Sequence, residues 1–225
     1  MDGSTPDFHS QLAAETADAR AWLQASPLVG DALAGRLTVE RYRAFLTQAY
    51  HHVRHTLPLL MALGGRLPDR HADLRRDVVH YCEEEVGHEL WILDDIRAAG
   101  GDPEAAARSA PHPATDAMVA CAWDTVMRRN PLGFFGMVFV LEGTSVALAL
   151  QAADRIQSSL GLPPTAFRYL RSHGHLDQDH VQHLAGILNR LDDPEDREAV
   201  RRCARTMYWL YGQVFRGIDA PAFAG

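Results

Sequence analysis

The spacing of apolar residues is the feature that most restricts the fold of this chain. No segment alternates apolar and polar residues between turn residues, which is the pattern of a half-buried strand. Apolar residues recur instead at helical spacing, and Gly and Pro clusters separate the segments. This pattern predicts an all-α bundle of seven or eight helices, at about residues 8–25, 38–66, 71–99, 114–129, 132–159, 164–191 and 194–216.

Some predicted helices have recognisable boundaries. Thr38 and Asp193 are suitable N-cap residues, and Pro194 suits the first helical turn after Asp193. Pro58 lies inside the predicted helix at 38–66, which it should kink because it lacks a backbone N–H. Residues 102–113 are mostly small and are predicted to form a connection.

Length and charge narrow the classes of function. With 225 residues, 47% of them hydrophobic, the chain is long enough for one well-buried domain, predicted to span residues 1–225. The net charge of −7 and the lack of a block of basic residues argue against a nucleic-acid or anionic-membrane partner. We therefore expect a small-molecule substrate, with no nucleic acid and no membrane as partners.

Cysteine usage and the N-terminus bear on the compartment. The three cysteines, Cys82, Cys121 and Cys203, form no C-x-x-C pair and no disulfide framework, which fits a reducing cytoplasm. The N-terminal residues lack the basic and apolar regions of a secretory signal. The most apolar window, Phe134–Leu150, is short for a membrane span. These observations predict a cytoplasmic protein.

One segment groups metal-binding residue types at helical spacing. His173, Asp177 and His180 follow the pattern H-x-x-x-D-x-x-H and share one helical face. Two imidazoles and a carboxylate suit a transition metal such as Fe, Mn or Zn. The rest of that face is mostly apolar, so the face is expected to be buried. A second set with similar spacing lies on a more polar face and remains the alternative: His175, Asp179 and His183.

A single glutamate interrupts the most apolar segment. Glu142 has almost only apolar helical neighbours, with Ser145 as the exception. A buried glutamate requires a raised pKa, a counter-ion or a metal ion. An ion pair with an arginine is the structural alternative to a metal ligand.

A third signal is the pair Glu85 and His88. It forms E-x-x-H, the i, i+3 pair by which di-metal carboxylate bundles present two ligands from one helix. The same face carries the apolar residues Val78 and Ile92, so Glu85 is expected to face inward. Glu84 is the alternative ligand.

Together, the three signals give three imidazoles and three carboxylates. The predicted metal ligands are Glu85, His88, Glu142, His173, Asp177 and His180. Such a set suits two first-row metal ions with open positions for O2, and two Fe(II) ions would be close to charge-balanced by three carboxylates. Glu142 and Asp177 are the predicted catalytic residues, as bridging or chelating carboxylates.

The order of these motifs resembles the haem-oxygenase-like di-iron oxidases, also called iron-containing redox enzymes. The resemblance covers about residues 42–191. It implies a haem-oxygenase-like helical fold and a non-haem centre of two Fe ions, or one Mn and one Fe. It further implies an O2-dependent oxidoreductase that oxidises a small organic substrate, with an external reductant and a homodimer as further expectations. Members act on different substrates, so the resemblance does not identify this one.

The same superfamily contains thiaminase II (TenA) and pyrroloquinoline-quinone synthase. A metal-free enzyme or ligand-binding protein of this fold is therefore the alternative function. A thiaminase needs a nucleophilic cysteine supported by acids, and Cys121 and Cys203 lack that setting. A haem oxygenase would use a proximal histidine such as His9, but haem would leave the three carboxylates unexplained. A partner-binding helical protein without catalysis would leave Glu142 exposed.

Four further residues are candidates for lining a substrate pocket. Tyr81 and Tyr169 share helical faces with proposed ligands, although packing in the core is their alternative role. His51 and His55 are four residues apart in the predicted helix at 38–66 and could reach the site from there. Partly exposed helix histidines are the alternative for this second pair.

Overall fold

The computed structural model describes residues 6–219, except the side chains of residues 175–179. Within these residues every regular element is helical and no strand is present, as predicted. The α-helices are α1 Phe8–Glu15, α2 Ala17–Gln24, α3 Pro27–Leu33, α4 Val39–Val53, α5 Thr56–Arg66, α6 Leu74–Glu85, α7 His88–Ala98, α8 Pro103–Arg108, α9 Pro113–Arg128, α10 Phe134–Leu160, α11 Arg168–Asn189 and α12 Pro194–Gly217.

Three predicted helices are divided, so the described chain has more helices than seven or eight. The predicted helix at 8–25 ends at Thr16, whose hydroxyl donates a hydrogen bond to the carbonyl of Leu12 and competes with the helical pattern. The predicted helix at 38–66 breaks at Arg54 and His55. Pro58 explains this break, because its ring clashes with the carbonyl four residues earlier, that of Arg54.

The predicted helix at 71–99 breaks at Val86 and Gly87. Gly87 has a φ angle of +84°, a conformation that glycine adopts without steric cost. Residues 102–113 are not only a connection, because they contain the short helix α8. There Pro103 occupies the first turn and the side chain of Asp102 accepts hydrogen bonds from the N–H groups of Glu104 and Ala105.

Helix α10 is the centre of the bundle. All residues from Phe134 to Val140 are buried, and the helix packs mainly against α11 and α12. In the part of the chain that the structure describes, the segment Pro131–Leu160 is the one stretch long and apolar enough to cross a membrane, longer than the sequence suggested. Of its most apolar window, 67% is buried inside the bundle, as in the core helix of a soluble fold.

Candidate metal centre

Helix α11 presents His173 in a defined tautomer. The Nδ1 atom of His173 lies 3.0 Å from the carbonyl oxygen of Tyr169, one turn earlier. A carbonyl oxygen can only accept, so Nδ1 carries a proton, and whenever the ring is neutral Nε2 offers its lone pair as a metal ligand. The ring of His173 lies 4.9 Å from that of His88 between centroids, so α7 and α11 meet here.

Glu85 and His88 come together, but not as predicted. Glu85 is the last residue of α6 and His88 the first of α7, so the prediction that one helix carries both is wrong. The turn at Gly87 still brings Glu85 Oε2 to 3.1 Å from His88 Nδ1. Ligand atoms of Glu85, His88 and His173 all lie within 4.8 Å of one another, which is a separation that one metal ion can span.

The charges around Glu85 favour its carboxylate form. Burial opposes ionisation, but the hydrogen bond with His88 and the charges of the neighbouring histidines outweigh it, so the pKa of Glu85 is lowered. An ionised carboxylate beside imidazoles is the state in which this group binds a metal ion.

A second group of ligand types lies beside the first. His180 on α11 is 3% exposed, and its Nε2 atom is 3.0 Å from Glu84 Oε2. Its Nδ1 atom is 3.8 Å from Oε1 of Glu142, which is 7% exposed on α10. Sequence reasoning treated Glu84 and Glu85 as alternatives, whereas the structure directs Glu85 to His88 and Glu84 to His180. The side chain of Asp177, predicted as a ligand and catalytic residue, lies outside the described residues.

Tyr81 connects the two groups. Its hydroxyl lies 3.4 Å from the carbonyl oxygen of His180 and also interacts with Glu142. Burial and the charge of Glu142 raise the pKa of Tyr81 strongly, so its phenol remains protonated and can donate a hydrogen bond to Glu142.

The alternative face of α11 contacts different residues. His183 is half-buried, and its Nε2 atom lies 3.5 Å from Asp77 Oδ1. Its ring is 5.1 Å from that of His80 between centroids. The side chains of His175 and Asp179 lie outside the described residues. His183 therefore belongs to a polar group on the α6–α11 surface, next to the site that contains His180.

Asp95 holds the start of α11, a role that sequence reasoning missed. Its fully buried carboxylate accepts hydrogen bonds from the backbone N–H groups of Arg168 and Tyr169, at 3.0 and 2.9 Å. Burial raises the pKa of Asp95 to about 6 although these N–H groups lower it. An acidic residue that accepts from the N-terminus of another helix was the feature to look for. It was missed because Asp95 and its partner Arg168 are 73 residues apart in the sequence.

A cavity extends from the metal-binding residues into the bundle. The volume of this cavity that the centres of water molecules can occupy is about 140 Å³. Most of its lining is apolar and comes from α3, α10 and the ends of α4, α5 and α12. The charged and imidazole groups among its lining residues are His52, Glu85, Glu142 and His173. Tyr81 and Tyr169, both predicted for the pocket, also line it.

On α4 the histidine that lines the cavity is His52, not one of the predicted pair. His51 Nε2 lies 2.9 Å from the hydroxyl of Ser109, and His55 Nδ1 accepts a hydrogen bond from the indole N–H of Trp123. The side chains of His51 and His55 therefore contact α8–α9 residues. The orientation of these histidine side chains could not be predicted from the sequence, because residues 50–55 have mixed apolar periodicity and the helix breaks at Arg54.

The donor set fits borderline first-row metals. Three buried or partly buried carboxylates, Glu84, Glu85 and Glu142, and three imidazoles, His88, His173 and His180, converge from α6, α7, α10 and α11. Imidazole and carboxylate oxygen together suit Fe and Mn, and two divalent ions would neutralise the carboxylates.

Comparisons with known proteins bear on the family and the fold. A model of the family described as iron-containing redox enzyme matches residues 43–212. The fold is similar to a haem-oxygenase-like domain of unknown function from Shewanella denitrificans, with a TM-score of 0.83, 24% identity, and coverage of 96% of this chain and 93% of that one. The comparison with curated proteins gives no match.

TenA homologues and haem oxygenases are among the proteins with a similar fold. A TenA homologue from P. horikoshii has a TM-score of 0.79 and 12% identity over 95% of this chain and 98% of that one. A haem oxygenase from the cyanobacterium Synechocystis, solved with haem, has a TM-score of 0.74 and 13% identity over 95% and 93% of the two chains. At these identities the likeness establishes the haem-oxygenase-like fold alone.

Proposed function

Because the chain belongs to the iron-containing redox enzyme family, we propose that it is a non-haem di-metal oxidase or oxygenase. Its cofactor would be two Fe ions, or one Mn and one Fe, and its co-substrate O2. The observation that carries the proposal is the convergence of three carboxylates and three imidazoles, of which Glu85, Glu142 and His173 line a mostly apolar cavity. When bound, the metal ions would supply the redox chemistry with O2.

The chain's own residues supply ligands, orientation and protection from water. Glu85, His88 and His173 would hold one ion, and Glu84, Glu142 and His180 the other. The Tyr169 carbonyl fixes the His173 tautomer, and Tyr81 donates a hydrogen bond toward Glu142. Apolar side chains around the remaining cavity exclude water from the reacting end of a small organic substrate. An external reductant and a cytoplasmic location are part of the proposal.

The metal-free alternative is less well supported by the cavity. None of the described residues that line it is a cysteine, so a thiaminase-type nucleophile has no candidate there. Metal-free chemistry would also require three buried or partly buried carboxylates to lie close together at one site. TenA homologues nonetheless share the fold, so metal analysis is the discriminating experiment.

Anaerobic titration with Fe(II) tests the proposal. We expect saturation near two ions per chain, followed by an absorption transient when O2 is added. His173→Ala should remove tight binding because it deletes a ligand, whereas the control His51→Ala, whose imidazole contacts Ser109, should bind like the wild type. A wild-type protein that retains no Fe or Mn after expression in iron-supplemented medium would favour the metal-free alternative.

A further inference from the structure

The indole of Trp91 lies against two of the proposed metal ligands. Trp91 follows His88 by three residues on α7, and the centroids of the two rings are 3.9 Å apart with an interplanar angle of 32°. The ring of His173 on α11 is 6.1 Å from the indole, at 72°, in an edge-to-face arrangement. Among the described residues, Trp91 is the one tryptophan in ring contact with a proposed ligand. Its half-buried indole therefore forms a wall against which the His88 ring packs.

A cation lies over the same indole. The guanidinium carbon of Arg168 is 4.5 Å from the centroid of the Trp91 ring. Arg168 is exposed and is the first residue of α11. A guanidinium is attracted to the electron-rich face of an indole and is only weakly hydrated, so this contact stabilises one orientation of the Trp91 side chain even at the surface.

The first turn of α11 is fixed to α7 at a second point. Trp91 and Asp95 are four residues apart and share one face of α7. The carboxylate of Asp95 accepts the backbone N–H groups of Arg168 and Tyr169. The carbonyl oxygen of Tyr169 in turn accepts the Nδ1 proton of His173. This turn of α11 therefore orients His173 through its backbone, while its arginine side chain reaches the indole.

His88 depends on its neighbours for its orientation. It is the first residue of α7, and its Nδ1 atom lies 3.1 Å from Glu85 Oε2. A histidine side chain has several rotamers, and most of them would turn the ring away from Glu85 and His173. The closest ring to His88 in the described part of the chain is the Trp91 indole. Groups that orient metal-binding histidines from outside the ligand set strengthen metal binding, because the ligands are then arranged in advance.

We propose that Trp91 and Arg168 are positioning residues of the metal centre. Arg168 fixes the indole of Trp91, and the indole holds the ring of His88 where it faces Glu85 and His173. The effect on metal binding rests on the function proposed above. The orientation of His88 can be measured without metal, so the two proposals can fail separately.

Proton NMR of the metal-free full chain tests the orientation of His88. The ring current of a stacked indole moves the C–H resonances of the histidine ring upfield. We expect such shifted resonances in the wild type, identified by their absence in His88→Gln, and the loss of the shift in Trp91→Leu. The control Trp209→Leu removes an exposed indole on α12 and should leave the shift unchanged. Unshifted His88 resonances in the wild type would overturn the proposal.

Titration with Co(II), a stand-in for Fe(II) that is stable in air, tests the effect on metal binding. Trp91→Leu should weaken the binding of one ion about tenfold. Trp91→Phe should retain most of the affinity, because a phenyl ring can also stack on His88. Arg168→Gln should weaken binding about threefold through the lost cation–π contact. The control Arg97→Gln removes another exposed α7 arginine, which is paired with Asp94, and should bind like the wild type.

The outcomes separate the two proposals. An unchanged Co(II) affinity in Trp91→Leu, or equal losses in Trp91→Leu and Trp209→Leu, would overturn the positioning role. A wild type that shows the shifted His88 resonances but binds no Co(II) would refute the di-metal function, while the orienting stack would stand. Circular dichroism melting shows whether Trp91→Leu is folded. If it is not, Arg168→Gln decides the question, because its side chain is exposed.

Discussion

Helix α10 crosses α12 so closely at Gly136 that a single methyl group should be disruptive. A Cβ atom at Gly136 would lie 2.4 Å from the carbonyl oxygen of Val200 and 2.7 Å from the backbone nitrogen of Ala204. Both are backbone atoms, so no side-chain rotation relieves the contact. Reaching an ordinary contact of 3.4 Å requires a separation of about 1 Å between the two helices.

The expected magnitude combines two opposing contributions. Alanine is favoured over glycine by about 1 kcal/mol inside a helix. Overpacking of this kind costs about 3 kcal/mol, at the upper end of the usual range because the backbone must move. Gly136→Ala should therefore lose about 2 kcal/mol of unfolding free energy. Gly143→Ala on the same helix meets no atom within 4 Å and should gain about 1 kcal/mol.

Urea unfolding followed by circular dichroism measures both variants. For a chain of this length, 1 kcal/mol corresponds to about 2–4 °C in Tm, so the melting temperatures should move in opposite directions. The difference of about 3 kcal/mol between the variants isolates the helix–helix contact, because the propensity gain is common to both. Equal shifts in the two variants would refute the close crossing of α10 and α12.

Three further predictions concern α11 and the buried acids. Gly174→Ala places a Cβ 2.6 Å from Leu150 Cγ beside His173 and should weaken Fe(II) binding about tenfold, whereas Gly186→Ala, with no atom within 4 Å, should not. Burial raises the pKa of Asp95 to about 6, so the wild type should lose about 2 kcal/mol relative to Asp95→Asn as pH rises from 4 to 6; parallel pH profiles would contradict this. Burial raises the pKa of the Asp196 carboxyl, but the hydrogen bonds from Asn130, His71 and Arg70 outweigh it, so the net pKa is lowered. The ionised carboxylate therefore stabilises the fold at neutral pH, and this stabilisation is lost as the pH falls. Asp196→Asn should cost about 2–4 kcal/mol at pH 7, with the difference from wild type shrinking below pH 4 in chemical unfolding.

Helical periodicity was sufficient to predict the fold class and the burial of Glu142. An apolar neighbourhood on every side of one glutamate leaves few alternatives to burial, and the structure has Glu142 7% exposed. The same reasoning predicted that His173 and His180 share a face of α11, and both lie at the site. These predictions depend on local sequence, in which spacing along one helix is decisive.

The positions of helix breaks depended on contacts that spacing does not reveal. Gly87 was read as part of a continuous helix, but its left-handed conformation separates α6 from α7. This break brings both Glu84 and Glu85 to the site, which no single helical face could do. The orientation of His52 and the role of Asp95 require knowledge of which helices pack together, and a single sequence does not contain it directly.

Iron-edge anomalous diffraction from crystals loaded anaerobically with Fe(II) tests the central claim most directly. We predict two peaks per chain, one bounded by Glu85, His88 and His173 and the other by Glu84, Glu142 and His180. Crystals of His173→Ala should lose the first peak. No peak at these residues in fully loaded wild-type crystals, or iron bound only at the His80–His183 surface, would contradict the proposed di-metal centre.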